Sequence, residues 1–303
     1  MIGLAGSKAD PVMVHFASRC VRRDVAFAVM DLVDLAARGT WSLSVPPGAD
    51  DVLTGVEVVR PGELSGVYVR PIYLGRTLAE AARWRGLLDG FTGWLDETAL
   101  PVVNRPHHNQ LNSYKPAHYA WLSANGLLVP PSLLSCDPAR LEDFVSRGRT
   151  VVKPVCGTRA TTREVARADL DRLSRHDGPM LVQRLVPGDD VRAHVVGDEI
   201  VACRFTSSMI DYRSDRRSRR ARVELPDDLA ALLVEKTAAQ GLVFAGWDFK
   251  VDADGTYWCL ECNPMPGYSF YDRVCDGAVS DALIRHLSGG GAYQVTGGST
   301  LAS

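Results

Sequence analysis

No segment of the 303 residues stays apolar for the roughly 18 positions a membrane-spanning helix needs, and the opening Met1-Ile-Gly-Leu-Ala-Gly-Ser-Lys8 lacks the basic start of a secretory signal. No membrane partner is expected, and the expected location is cytoplasmic. An excess of charge of one sign is missing too: 34 basic and 36 acidic residues leave a net charge of -2, which gives no global electrostatic case for a nucleic-acid partner. The seven cysteines (20, 136, 156, 203, 259, 262 and 275) are odd in number and scattered, so free thiols are expected rather than a disulfide framework. Cys259-Leu-Glu-Cys262 has metal-like spacing, but no second Cys or His pair follows at finger spacing, and structural zinc is not expected. There is no Gly-Lys-Ser/Thr phosphate loop, no Gly-x-Gly-x-x-Gly dinucleotide signature and no Gly-x-Ser-x-Gly elbow. Those enzyme classes recede.

What is present is an average globular composition, 46% hydrophobic and 23% charged, in a chain long enough for one large domain or two to three lobes. Short apolar runs from Met1 to Ala5 and through Val25 to Leu35, then a strand-like Gly66–Arg70, alternate with amphipathic stretches, which predicts an α/β module over 1–103. Leu78, Ala81, Trp84, Leu88, Phe91 and Leu95 recur at helical spacing as a core stripe. Pro101 to Pro106 marks its boundary. Beyond it, a helix is predicted from Lys115 to Asn125, stopped by Gly126, then strands at Thr150–Lys153 and Met180–Gln183 with a helix from Arg163 to Ser174 between them. Val191 to Phe205 reads as a hairpin folded at Gly197-Asp198, Asp227 to Gln240 as a helix stopped by Gly241, and Leu242–Val251 with Tyr257–Asn263 as a second hairpin. The lobes are expected at 104–185 and 186–288, with a flexible tail of linker composition at 289–303.

In the second hairpin, period-2 geometry puts Trp247, Phe249 and Val251 on one face and Gly246, Asp248 and Lys250 on the other. By the same rule Glu261 and Asn263 share a face with Cys259, and Cys262 lies opposite. Asp248, Glu261 and Asn263 are hard oxygen donors suited to Mg2+ shared with phosphates; the competing reading is a solvated strand pair. A cationic partner for such phosphates is at hand in Lys153, which ends a strand just before Pro154-Val-Cys-Gly157-Thr-Arg-Ala-Thr-Thr162. Six of the ten residues from Arg213 to Arg222 are arginine, read either as a solvated loop balanced by Asp211, Asp215 and Glu224 or as bidentate capture of carboxylate or phosphate. His107 and His108 have no spaced partner.

The order of these pieces carries a resemblance. From Asn104 to about Leu287 the chain resembles ATP-grasp ligases of the RimK-like branch, which includes the graspetide-forming peptide maturases. The matching pieces are Lys115 before Gly126-Leu-Leu-Val-Pro-Pro131, Val151-Val-Lys-Pro154, Leu181-Val-Gln183, Gly188-Asp-Asp-Val-Arg192, Ala245-Gly-Trp-Asp-Phe249 and Leu260-Glu-Cys-Asn-Pro264. The resemblance implies an ATP-grasp fold, two small α+β lobes clasping ATP behind the N-terminal module. It implies that Lys115 and Lys153 reach the phosphates, that the backbone of Gln183, Arg184 and Leu185 holds adenine, and that Asp190 and Arg192 line the nucleotide and substrate side. Asp248, Glu261 and Asn263 would carry two Mg2+ ions, with Mn2+ able to substitute. Arg204, with Asp211-Tyr-Arg213 beyond it, resembles the maturases' Asp-Trp-Arg region, which makes Arg192, Arg204 and Arg213 the catalytic candidates. Thr158, Thr161 and Thr162 stand where relatives carry more glycines around Gly157.

The implied reaction is an ADP-forming carboxylate-amine ligation through an acyl phosphate, joining amino acids or small peptides, with a glutamate carboxylate as one candidate donor. Only 29 residues separate Lys153 from Gln183 and six separate Gln183 from Asp190, which favours small substrates. The alternatives are a maturase crosslinking Asp or Glu side chains of a precursor peptide, and a nucleotide-sensing module without turnover. Nothing in the sequence excludes a homo-oligomer.

Overall fold

The computed structural model describes residues 1–72, 78–108, 112–153, 163–170, 180–215 and 217–289. They divide into two compact units, one of Met1–His107 with the described residues from Gly277 on, the other of His108–Asp276.

In the first unit β1 (Ile2–Gly6), β2 (Phe27–Asp31), β6 (Gly66–Val69) and β7 (Val102–Val103) form a parallel sheet in the order β2-β1-β6-β7. Every residue of β1 is buried, as expected of a central parallel strand covered on both faces. The Val25–Leu35 stretch is not one element: Asp31 Oδ1 accepts from the amides of Val33 (3.0 Å) and Asp34 (3.1 Å), ending β2 and starting α2 (Leu32–Arg38). The stripe of α3 (Leu78–Glu97) buries Trp84, Leu87, Phe91 and Leu95 against Val67, Val69 and Val102. A small antiparallel sheet, β3 (Thr40–Ser42), β4 (Val52–Thr54) and β5 (Val58–Val59), completes the strands. The last described helix, Ala278–Leu287, lies against α1 (Pro11–Arg22), with Arg19 and Arg23 both gripping Asp281, the first at 2.6 Å.

The second unit holds two antiparallel sheets. In one, β8 (Ser132–Ser135), β9 (Thr150–Lys153), β10 (Arg163–Glu164) and β11 (Met180–Arg184) run in the order β10-β9-β11-β8. The helix expected from Arg163 is absent at its start, because Arg163 and Glu164 pair with Val152 and Val151, and Arg167–Asp169 forms one tight turn. Residues 171–174 of that expectation lie outside the described residues, as do Pro154–Thr162.

The other sheet runs β14-β13-β12-β15-β16, from β12 (Asp189–Val196), β13 (Glu199–Thr206), β14 (Arg219–Val223), β15 (Phe244–Val251) and β16 (Tyr257–Asn263). Both predicted hairpins are present, with left-handed glycines at Gly197 (φ 60°) and Gly255 (φ 80°). Beyond the first hairpin, three of the six arginines of the arginine-rich segment, Arg219, Arg220 and Arg222, lie on a strand at the edge of this sheet rather than in a loop. One face of the sheet is dry, with Val191, Ala193, Trp247 and Phe249 packed with Leu122 of α4 (Lys115–Ala124) and Leu233 of the helix Asp227–Ala239.

Parity along β16 departs from strict alternation. Asp248 faces Glu261, but Phe249 faces Cys259, so a bulge skips Leu260. Cys259 therefore joins Cys262 in the apolar core and does not share the face of Glu261, correcting the period-2 reading. The six described cysteines are free thiols, five of them buried. Among the described residues no helix is long and apolar enough to cross a membrane.

Trp247 has no exposed surface and donates from Nε1 to Thr237 Oγ1 at 3.0 Å. Trp247→Ala is expected to destabilise this unit by about 3–5 kcal/mol, read as a lowered denaturant midpoint, and Trp247→Phe by less.

Candidate active site

Register on the polar face of the five-stranded sheet sets three charged residues in one row. Arg192 of β12 lies opposite Asp248 of β15, and Asp248 opposite Glu261 of β16. Opposed residues of an antiparallel pair point to the same side, so one guanidinium and two carboxylates meet there. Arg192 is buried; its Nη1 donates to Asp248 Oδ2, its Nε lies 3.4 Å from His194 Nε2, and its Cζ stands 5.4 Å from the centre of the Tyr271 ring. The next residue of β15 on this face is Gly246, where a Cβ would come within 2.8 Å of the Arg192 Cζ and of Pro266. Glycine is needed here for the guanidinium to lie along the strand.

Asp248 sits above the ordinary carboxylate range, first because burial disfavours its charge and then because Glu261 repels it, against the opposing pull of Arg192. Asn112 Nδ2 donates to Glu261 Oε1 at 2.9 Å, and Asn263 Oδ1 accepts from the Met265 amide at 2.9 Å. His118 of α4, buried, accepts from the Cys262 amide at 2.9 Å and so ties the helix that Lys115 opens to the strand bearing Glu261.

From the four-stranded sheet, Lys153 reaches the same region. Its Nζ donates to Gln183 Oε1 at 2.6 Å, and Gln183 Nε2 donates to Ser132 Oγ at 2.9 Å, which fixes the amide's orientation. Burial pushes the Lys153 amine down to about 8; Glu261 and Asp248 act against that, while Lys115 and Arg213 add to it. That mutual influence brings Lys115, Lys153, Arg213, Asp248 and Glu261 into one electrostatic cluster. Among the described residues no three His, Cys, Asp or Glu side chains come together as a metal cage. The row offers two carboxylates that repel each other, and Asn263, opposite Gly246, adds an amide oxygen beside them, a hard-donor set that fits Mg2+ sharing its coordination with phosphate.

A model of the RimK-like ATP-grasp domain matches residues 113–287. The chain belongs to the RimK-like ATP-grasp family. The mouse N-acetylaspartylglutamate synthase A (Mus musculus) is 28% identical over 205 residues, 60% of this chain and 52% of that enzyme, so the chain spans about half the length of the curated relatives it matches. The ATP-grasp ligase PsnB, solved with a minimal precursor, Mg and ADP, is 28% identical with a TM-score of 0.76 over 94% of this chain and 97% of its own. The macrocyclase MdnC of Microcystis aeruginosa, bound to its precursor MdnA, has a TM-score of 0.78 at 19% identity over 95% of this chain and 99% of its own, a likeness of fold.

The remaining candidates fall in different places on this ATP-grasp scaffold. Asp190 is buried and held by Lys250, whose Nζ donates to it at 2.8 Å and to the Gly188 carbonyl at 3.2 Å. Arg204 lies opposite Val191, on the other face of the sheet from Arg192, with its Nε 3.7 Å from Asp189 Oδ2. It does not join the row. Arg213 makes a bidentate pair with Asp211, at 2.8 and 2.7 Å. The amides of Arg184 and Leu185 are engaged by the carbonyls of Pro131 (2.8 Å) and Arg149 (2.9 Å), and the Arg184 guanidinium by that of Phe144 (2.9 Å), so neither amide is an open donor for adenine. Sequence reasoning missed Asn112, His118, His194, Lys250 and Tyr271. Only Lys250 had a signal, a lysine on the same strand face as Asp248.

The Asp190–Lys250 pair generates a test. Burial raises Asp190 to about 6 even with Lys250 beside it. Lys250→Met leaves a buried carboxyl without its cation and is expected to cost up to about 3–5 kcal/mol once that carboxyl is ionised. A carboxyl whose folded pKa is raised above its ordinary 3.8 costs stability only once it ionises. Lys250 holds the Asp190 carboxyl down to about 6, so without it the carboxyl ionises only at higher pH; the deficit of Lys250→Met should therefore be small and flat below about 6 and grow as pH rises above it, as denaturant titrations across that range would show.

Proposed function

We propose that the chain is an ADP-forming ligase that activates a carboxylate with ATP and joins it to an amine or hydroxyl. The observation that carries this reading is the Arg192–Asp248–Glu261 row facing Lys153 within one electrostatic cluster. Lys115 and Lys153 bind the phosphates of ATP, and Gln183 holds Lys153 in place. Asp248, Glu261 and Asn263 hold two Mg2+ ions, which when bound would neutralise phosphate charge. The substrate carboxylate oxygen attacks the γ-phosphorus, the β–γ bridging bond breaks and ADP leaves; an amine or hydroxyl then attacks the acyl carbon and phosphate departs. Arg192, anchored on Asp248, steadies the charge on the transferring group, and Arg213 orients the carboxylate by its guanidinium fork. Arg204 has a peripheral role in this scheme.

Two substrate classes fit this chemistry, amino acids or small peptides and a carboxylate carried on a precursor peptide. The likeness to PsnB runs through both units at 28% identity, whereas the amino-acid ligases match over part of their length, and this favours the peptide. ADP release with Mg2+, screened over amino-acid pairs and over acidic peptides, tests the assignment. Lys153→Ala is the control, and turnover near the wild-type rate in that variant would sink it.

Glu261→Gln removes one anionic ligand without changing side-chain size, so its Mg2+ requirement should rise by about tenfold or more. An unchanged Mg2+ dependence would place the metal elsewhere. The Lys153 amine, at about 8 before ATP arrives, is charged below that pH and neutral above it. ATP affinity is therefore expected to fall as pH rises through about 8, by about tenfold once one charged hydrogen bond is lost. Lys153→Arg stays charged throughout and should lose that inflection in a nucleotide titration.

A further inference from the structure

We propose that the first unit carries a binding site for a cationic side chain, the lysine or arginine of a peptide, in a cavity of about 260 Å3 bounded by β2, α2 and the β4–β5 hairpin. This site rests on none of the residues assigned to ATP or magnesium.

Its decisive feature is Asp34, which lines the cavity and is 8% exposed. Arg38, one turn along α2, takes Oδ1. Oδ2 is buried with no hydrogen-bond partner among the described residues, and it lies 3.7 Å from the point where a Cβ would sit on Gly55, another residue of the cavity wall. A buried carboxylate oxygen without a donor is costly, and a wall that holds one is suited to a ligand that brings the donor.

The other charges of the cavity point the same way. Asp31 is committed, its Oδ1 to the start of α2 and its Oδ2 to Lys8, whose amide lies at 3.3 Å and whose Nζ lies at 3.8 Å. The lysine of the wall is thus spent on Asp31. Glu57 stands exposed in the hairpin turn at the rim. With Lys8 on Asp31 and Arg38 on Asp34, the three carboxylates of the lining exceed the cations that touch them by one, so an anion is disfavoured and a cation drawn in. The rest of the wall is apolar, with Leu35 and Leu53 inside and Val56, 75% exposed, at the mouth. A bare metal ion would gain nothing from those walls. A cation on an alkyl stem uses both features, which is the build of lysine and arginine. The volume lies below the roughly 300–1,000 Å3 of sites for whole small molecules and suits one side chain.

The test is a titration of the full chain, followed by amide chemical shifts, with Nα-acetyl-lysine-N-methylamide, its arginine counterpart and its norleucine counterpart. Saturable shifts at Leu35, Gly55 and Val56 are expected with the two cations and not with norleucine. Asp34→Asn should weaken that binding by about tenfold or more, the loss of one charge-assisted hydrogen bond. Gly55→Ala keeps the charge but puts a methyl beside Oδ2, at an ordinary 3.4 Å from Leu35, and should weaken binding without lowering the melting temperature. ADP release should be unchanged in both variants. No saturable shift with either cation, an equal response to norleucine, or unchanged affinity in both variants overturns the proposal.

Discussion

The pairing of Arg192 with Asp248 across two neighbouring strands is the constraint around which the second unit is arranged. A buried guanidinium must have a carboxylate in contact, because an unpaired charge in that environment would cost more than folding can offset. The demand propagates through the sheet. Gly246 has to lack a Cβ, His194 has to stay neutral beside Arg192, and Tyr271 has to present its ring to the guanidinium. His194 is held well below the ordinary imidazole range, first by burial and then by Arg192, so a second cation does not form against the first.

The same reasoning explains why the bulge in β16 matters. Without it, strict alternation would put Cys259 on the face of Glu261 and Leu260 on the core side in its place. Skipping Leu260 lets Glu261 oppose Asp248 while Cys259 and Cys262 both stay dry beside Trp247 and Phe249. One irregular residue thus reconciles an acidic row on one face with an unbroken apolar layer on the other.

Much of this was legible from residue order. The two hairpins, the helix opened by Lys115 and the opposition of Trp247 and Phe249 to Asp248 follow from period and turn chemistry, which are local. What escaped was non-local. A bulge is a property of a strand pair and leaves no mark in β16 alone. Arg219-Arg-Ala-Arg-Val223 has the composition of a solvated loop, and it is a strand because the edge of β13 offers it hydrogen bonds. Asp190 reads as a ligand from its neighbours Gly188 and Arg192, yet Lys250, sixty residues on, already holds it. The division of Val25–Leu35 at Asp31 was within reach, since an aspartate before Leu-Val-Asp is a helix-start signal.

The balance of charge in the cluster bears on what it can receive. Lys115, Lys153, Arg192 and Arg213 influence the same region as Asp248 and Glu261, and Asp211 is taken up by Arg213. Four cations against three carboxylates leave a surplus of one positive charge before any metal arrives, and divalent ions would raise it further. Four of these groups meanwhile lean on an internal partner: Arg192 on Asp248, Lys153 on Gln183, Glu261 on Asn112, Arg213 on Asp211. For Lys153 the partner is a weaker competitor than a triphosphate, because the neutral amide of Gln183 gives up its hydrogen bond at low cost while a phosphate oxygen brings full charge. Lys153 is therefore placed to exchange one contact for another, and the Arg192–Asp248 pair, whose arginine is buried, is the fixed point about which that exchange turns.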